Sequence, residues 1–241
     1  MKTWIFACTL ILFFFFWGWI KSHRLFGGII SVRNIDTLQH ELQTGDLIFT
    51  KAKTWSSSIQ QVFFGSFINH CAMIVRHNST LWVWDCAPSI GAYLTPLDLF
   101  LINNWHGRAV APDASPTKLP VSYIVPHNSL ATYIPSRLFV RRLKRPVDPA
   151  PIFRYIYNNI GRPYSFRSWV PALNYITGIE LPYFEDAIGI FCSELVAETL
   201  QEELGSCVLS SLLPVHFWED KISWKHGQGL LPPERIIGIP P

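Results

Sequence analysis

The sequence predicts an α+β domain built on a mostly antiparallel sheet, and three observations favour that class. Of the 241 residues, 49% are hydrophobic and only 15% are charged, which suits a buried core and excludes a disordered chain or a charged coiled coil. Two segments, the apolar residues 69–76 and the aromatic-rich residues 81–86, flank a polar turn and predict a hairpin. Residues 191–204 have the spacing of an amphipathic helix and are followed by a glycine.

Charge and cysteine content narrow the possible functions. The net charge of +3 is too small to indicate nucleic-acid binding. The five cysteines include no C-x-x-C pair, so neither a structural zinc site nor another cofactor is expected. Few, scattered cysteines fit a reducing compartment better than a disulfide scaffold.

Residues 1–24 are predicted to form a transmembrane anchor. Residues 3–20 are uncharged, and at about 1.5 Å per residue they would span roughly 27 Å. The run lacks a small-residue cleavage site, which favours an uncleaved anchor over the alternative, a signal peptide. Lys21 and Arg24 follow the run and only Lys2 precedes it, which predicts a single-pass protein whose C-terminal domain is cytoplasmic.

The chain after the anchor is predicted to start with a connector, residues 25–44, which contains a short amphipathic segment. One domain then covers residues 45–241. Its first strand, residues 45–50, is apolar and is entered through a Gly-Asp turn. Residues 56–64 are predicted to form a short helix.

The hairpin that follows brings two polar side chains together. Its strands are joined by the turn residues His-Asn-Ser-Thr at 77–80. With the turn centred on the middle two residues, Asp85 lies opposite Ala72, and His70 is the diagonal neighbour of Asp85 on the same face. The register therefore predicts that an imidazole meets a carboxylate, although a slip of one residue would reverse the faces.

After the hairpin, the sequence predicts a helix at residues 96–104, followed by strands at 108–111 and 138–143. Residues 149–160 have helical spacing, with a proline tolerable in the first turn and a glycine immediately after the last residue. Residues 162–190 are rich in Pro and Gly and predict a long loop.

Cys192 falls at the start of the last predicted helix. A helix N-terminus carries partial positive charge and free N–H groups, which lower a thiol pKa and can stabilise an oxyanion. A histidine from the sheet would serve as the base, and a carboxylate would hold its ring. A lone cysteine is more often a small buried hydrophobic residue, so this pattern alone leaves both interpretations open.

Four segments, in the order 44–49, 69–75, 161–164 and 191–196, resemble the motifs of the circularly permuted NlpC-like cysteine hydrolases. That family includes bacterial YiiX/YebB-like proteins, poxviral relatives and, more distantly, lecithin retinol acyltransferase. The histidine segment precedes the cysteine segment here, as in the permuted group. The resemblance covers about residues 45–220 and implies a permuted papain-like domain with a mostly antiparallel sheet packed on helices.

The resemblance also implies roles for individual residues. Cys192 is similar in position to the family's nucleophile and His70 to its general base. Asp85 occupies the place of the third member, where bacterial relatives often have Glu. Tyr164, in Gly-Arg-Pro-Tyr, resembles a recurrent tyrosine that lines the cleft, donates to the oxyanion or only packs.

Other polar residues near these motifs are interpreted as structural. Asp46 resembles the family's Gly-Asp turn and is expected to cap or form that turn. Cys71 is expected to be incidental, because the pattern allows small residues after the histidine. Glu194 is expected to face away from the site, and Glu198 to lie on a solvated helix face.

The favoured hypothesis is a membrane-anchored thiol hydrolase or acyltransferase that cleaves an amide or ester bond in a lipid, acyl or peptide substrate. The alternative is a catalytically inactive, membrane-tethered binding module with the same fold. A metal site made of His70, Cys71 and Cys86 is disfavoured, because adjacent strand residues point to opposite faces of the sheet.

Overall fold

The computed structural model describes residues 31–52, 66, 68–87, 90–101, 108–110, 122–124, 135–165, 189–205 and 212–237. The strands formed within these residues are β1 (Ser31–Asn34), β2 (Leu47–Ala52), β3 (His70–His77), β4 (Thr80–Ala87), β5 (Gly91–Pro96), β6 (Arg108–Val110), β7 (Ser122–Ile124), β8 (Pro135–Arg141) and β9 (Glu234–Ile237). The helices are α1 (Ile35–Leu38), α2 (Leu97–Leu101), α3 (Pro149–Asn159), α4 (Cys192–Thr199) and α5 (Pro214–Trp218).

The architecture corrects the predicted fold class. Seven strands form one mixed sheet in the order β1-β9-β8-β2-β3-β4-β5, and β6 pairs separately with β7. The sheet is mixed because β1 and β9 run parallel, whereas its other neighbouring strands run antiparallel. The helices of the described segments are few and short. The predicted class, a mostly antiparallel sheet packed on helices, is therefore wrong, and the structure is a mixed sheet of seven strands with few helices.

The predicted transmembrane helix and single-pass membrane localisation are not borne out by the described residues. Across the ranges that the structure describes, no helix is both long and apolar enough to cross a bilayer. The longest helix there, α3, has 11 residues and is about 16 Å long, against a hydrocarbon core of about 30 Å. The predicted anchor itself falls on residues 1–24, outside the described residues.

The hairpin formed by β3 and β4 has the predicted register. Met73 pairs with Trp84 and His77 with Thr80, as a turn centred on Asn78-Ser79 requires. Asn78 has a φ of 53°, a left-handed conformation that asparagine tolerates better than most residues. This local turn therefore sets which residues of the two strands face each other.

Alternating strand residues supply two separate apolar layers, one on each face of the sheet. On one face, Phe49, Met73 and Trp84 pack with Leu195 and Val196 of α4. The opposite face is covered by apolar side chains from α1 and α2; its members include Ile48, Ile74, Val83, Leu138, Leu38 and Phe100. Helix α4 is thus held against the sheet on the face that carries Phe49, Met73 and Trp84.

Asp46 joins two loops that meet at one end of β2. Its carboxylate accepts the backbone N–H of Gln43 at 2.8 Å and that of Leu143 at 2.9 Å. Burial raises its pKa to about 6, although both of these hydrogen bonds lower it. These contacts agree with the structural role expected of the Gly-Asp turn.

Candidate active site

Cys192 is the first residue of α4, as the sequence predicts. Phe191 before it is extended, with φ −103° and ψ 160°. The Glu194 carboxylate accepts the Phe191 N–H at 3.3 Å, so this glutamate is buried at the helix start, where it caps the helix. The first turn of a helix leaves backbone N–H groups without intrahelical acceptors, and Cys192 belongs to that turn.

Two buried hydrogen bonds fix the position of α4. The Ser193 hydroxyl donates to the Leu212 carbonyl at 2.6 Å. The indole Nε1–H of Trp84 in β4 donates to the Thr199 hydroxyl at 3.1 Å. Since both ends of the helix are held in this way, the nucleophile candidate is fixed relative to the sheet.

His70 and Asp85 meet at the end of the hairpin, as predicted. The distance from His70 Nε2 to Asp85 Oδ1 is 2.8 Å, and Asp85 is completely buried. The backbone N–H of Cys86 also donates to Oδ1, at 2.6 Å, and the Tyr93 hydroxyl donates to Oδ2, at 2.8 Å. Because Nε2 faces Asp85, Nδ1 is left as the nitrogen that can exchange a proton with Cys192.

The electrostatics of this site favour a thiolate and an imidazolium. Burial raises the pKa of Cys192, but hydrogen bonds from Cys71 and His70 and the charge on His70 outweigh it and lower that pKa to about 5. Burial likewise lowers the pKa of His70, but the charges of Asp85 and Cys192 raise it well above its usual value. The proton is therefore held by His70 rather than by Cys192 at neutral pH.

Cys71 also contacts the Cys192 sulfur, which the sequence pattern does not reveal. Its thiol and its backbone N–H lie close enough to the Cys192 sulfur to lower the pKa of Cys192. Burial and the neighbouring Cys192 charge raise the pKa of Cys71 well above its usual value, so Cys71 stays protonated and can donate. The expectation that Cys71 is incidental is therefore not supported by its surroundings.

Replacing Cys71 by alanine is expected to raise the pKa of Cys192 by about one to two units, because a hydrogen bond to a charged group contributes about 1.5–3 kcal/mol. The measurement is the rate of Cys192 alkylation by iodoacetamide as a function of pH, followed by mass spectrometry. Cys71→Ser keeps a hydroxyl donor at the same position, so the pH midpoint of Cys192 alkylation is expected to stay close to the wild-type value. Equal midpoints for Cys71→Ala and wild type would contradict this role.

Tyr164 lies beside the residue that precedes the nucleophile. Its ring packs edge-on against Phe191, with 5.7 Å between the ring centroids, and its backbone forms a bridge with Ile190. These contacts support the packing interpretation of Tyr164. Donation to an oxyanion by its hydroxyl stays a prediction.

The remaining sequence-based interpretations concern metals and a surface glutamate. Within the described segments, no group of three or more His, Cys, Asp or Glu side chains could hold a metal ion.

Glu198 does not lie on a simply solvated face, since its carboxylate binds the guanidinium of Arg162 at 2.7 Å. Arg162 belongs to the Gly-Arg-Pro-Tyr segment, so this ion pair links that segment to α4.

Comparison with known proteins yields structural similarity of low score. No protein-family model matches the chain, and no curated protein matches it. Among solved structures, the chain is similar to one described as the metalloprotein YiiX from Escherichia coli O157:H7, DUF1105. The identity is 19% and the TM-score 0.42, over 68% of this chain and 67% of that chain.

Proposed function

We propose that this protein is a cysteine hydrolase or acyltransferase that cleaves an amide or ester bond. The observation that carries the proposal is the arrangement of Cys192 at the start of α4 beside His70, whose Nε2 lies 2.8 Å from the buried carboxylate of Asp85. Nucleophile, base and orienting group thus stand in the order that acyl transfer requires. The resemblance of four sequence segments to the permuted NlpC-like hydrolases supports the same chemistry.

The reaction begins when the Cys192 thiolate attacks the carbonyl carbon of the substrate. Negative charge moves to the carbonyl oxygen, where the N–H groups at the start of α4 stabilise it. The His70 imidazolium gives its proton to the leaving nitrogen or oxygen, the bond to the leaving group breaks, and a thioester remains on Cys192. His70 then removes a proton from water or another acceptor, which attacks the thioester and releases the thiolate.

The surroundings of Cys192 favour a substrate with an apolar group next to the carbonyl. Cys192 packs in one buried cluster with Phe191, Leu213 and Val215, and the partly buried Tyr164 lies against that cluster. A polar peptide side chain would find few hydrogen-bonding partners among these residues, whereas an acyl chain needs none. We therefore favour a lipid or acyl substrate over a polar peptide.

The test uses the full chain and p-nitrophenyl butyrate, an activated ester with a short acyl chain. The wild type is expected to show a butyryl adduct on Cys192 by mass spectrometry and continued release of p-nitrophenol. Cys192→Ala is expected to lose both signals. Thr44→Val, which removes a buried hydroxyl and its hydrogen bonds to the Arg76 backbone but no group of the site, is expected to keep both.

Two outcomes would overturn the proposal. If Cys192 forms no adduct, the thiol is not an active nucleophile and the protein is better explained as a binding module with this fold. The second outcome is an adduct that forms once per protein molecule, after which p-nitrophenol release stops, both in water and with an added alcohol as acceptor. The site would then react with esters without turning them over.

A further inference from the structure

Tyr93 is the residue that completes the hydrogen bonding of Asp85. It lies in β5, directly opposite Asp85 in the pairing of β4 with β5. Its hydroxyl donates to Oδ2 of Asp85 at 2.8 Å, and its side chain is only 1% exposed. Since a phenylalanine would fill almost the same volume, the hydroxyl group is the part that packing alone does not require.

The two oxygens of Asp85 have different partners. Oδ1 accepts the Cys86 N–H and faces Nε2 of His70, whereas Oδ2 accepts the Tyr93 hydroxyl. The terminal torsion of an aspartate is broad, so a carboxylate held through one oxygen can still rotate. A second hydrogen bond on the other oxygen stops that rotation and keeps Oδ1 directed at the imidazole.

We infer that Tyr93 is a positioning residue of the reaction, which acts through Asp85 to hold His70 in the orientation that serves Cys192. This inference rests on the proposed function. It extends the site to a chain of four side chains, Tyr93, Asp85, His70 and Cys192, drawn from β5, β4, β3 and α4. Tyr93 does not touch the reacting atoms, and its contribution is the fixed orientation of the carboxylate.

The Gly-Arg-Pro-Tyr segment holds Tyr93 in place. The backbone N–H of Ala92 donates to the Arg162 carbonyl at 2.8 Å, and the N–H of Gly161 donates to the Ala92 carbonyl at 2.8 Å. Gly91 has a φ of +81°, and a Cβ at this position would come within 2.4 Å of the Arg162 carbonyl oxygen. This close approach explains why β5 begins with glycine and why the strand is fixed there.

The same segment also holds the helix of the nucleophile. The Arg162 guanidinium binds Glu198 of α4 at 2.7 Å, and Tyr164 packs on Phe191 just before that helix. One short segment is therefore bonded to the strand that carries Tyr93 and to the helix that carries Cys192. This arrangement supports the inference, because it fixes the distance between the two ends of the chain of four side chains.

The test compares Tyr93→Phe with Thr44→Val, a matched variant that also removes one buried hydroxyl group. Thr44 is hydrogen-bonded to the backbone of Arg76, near the opposite end of β3 from His70. Each full-length variant is assayed for urea unfolding, for kcat and KM with p-nitrophenyl butyrate, and for the pH midpoint of Cys192 alkylation. For Tyr93→Phe, kcat is expected to fall about tenfold at unchanged KM, the effect of one net hydrogen bond. Its alkylation midpoint is expected to rise by about half a unit to one unit, because a freely rotating carboxylate supports the imidazolium less well.

The outcomes separate this inference from the proposed function. Thr44→Val is expected to be destabilised to a similar degree while kcat and the midpoint stay at their wild-type values. If Tyr93→Phe behaves like Thr44→Val, the hydroxyl is only structural and the inference fails, while a wild type with an acidic midpoint and turnover keeps the proposed function. If the wild type itself has an alkaline midpoint and no turnover, the proposed function fails, and with it the positioning role.

Discussion

Replacing His70 by alanine is expected to move the midpoint of Cys192 alkylation from about pH 5 to about pH 8.5 or above. In the wild type, the thiolate forms at low pH because the imidazolium and the hydrogen bonds to sulfur outweigh the cost of burial. Without the imidazole, burial still raises the pKa of Cys192, but a large part of the stabilisation of the thiolate is lost. A group with a lowered pKa is ionised above that pKa, so the expected change is a loss of thiolate between pH 5 and 8.5.

The midpoint is a better measurement than the rate at a single pH. At pH 6 about nine-tenths of the wild-type thiol is ionised, against roughly three in a thousand for an ordinary cysteine. The more basic thiolate is also the stronger nucleophile, with a Brønsted slope of about 0.4–0.5, so the net rate at pH 6 falls only about tenfold. An unchanged midpoint in His70→Ala would show that His70 does not support the thiolate.

The positions of His70 and Asp85 can be predicted from the sequence because their determinants are local. Turn residues between two apolar strands fix the register, and the two-residue period of a strand then fixes the faces. Cys192 is predictable for a similar reason, since the pattern of residues 191–204 already places it at a helix start. The structure shortens that helix to end at Thr199, a shift of the size expected at helix ends.

Cys71 and Tyr93 escape sequence reasoning because their contacts depend on docking. Cys71 reaches Cys192 only once α4 packs against the sheet, and the sequence separation between these residues gives no local signal. Tyr93 lies in a strand that begins with Gly91 and ends with Pro96, and both of these residues favour a loop prediction. Its bond to Asp85 becomes visible only when β4 and β5 are paired.

The parallel pairing of β1 with β9 is hidden for another reason. Both strands have only four residues, Ser31–Asn34 and Glu234–Ile237, too short for a period of two to stand out. They lie at opposite ends of the described chain, so no turn links them and their pairing depends on the rest of the sheet. The sequence prediction misses the mixed character of the sheet for this reason, since every strand foreseen from the sequence belongs to an antiparallel pair.

Replacing Asp85 by alanine is expected to cost roughly 3–5 kcal/mol of the free energy of unfolding, because it removes one partner of a buried ion pair. The same change leaves two buried donors, the Tyr93 hydroxyl and the Cys86 N–H, without their acceptor. His70 then loses the charge that holds its pKa high and becomes neutral at lower pH. Without an imidazolium beside it, Cys192 is expected to ionise at a pH about one to two units higher.

Asp85→Asn separates the structural part of this effect from the electrostatic part. The amide keeps the shape of the side chain and one acceptor oxygen. In urea unfolding, Asp85→Asn is therefore expected to lose about half as much free energy of unfolding as Asp85→Ala. The charge is absent in both variants, so the shift of the alkylation midpoint is expected to be nearly the same. Equal midpoints in wild type and Asp85→Asn would exclude Asp85 as the third member of the site.

The double variant His70→Ala/Asp85→Asn tests whether Asp85 acts through the imidazole. If it does, the midpoint of the double variant equals that of His70→Ala, because a carboxylate without an imidazolium has no means of stabilising the thiolate. If Asp85 instead acted directly on Cys192, removing its negative charge would lower the midpoint of the double variant below that of His70→Ala, since like charges disfavour ionisation. The two mechanisms thus predict different results in the same assay, and the contact of 2.8 Å between Nε2 and Oδ1 favours the first.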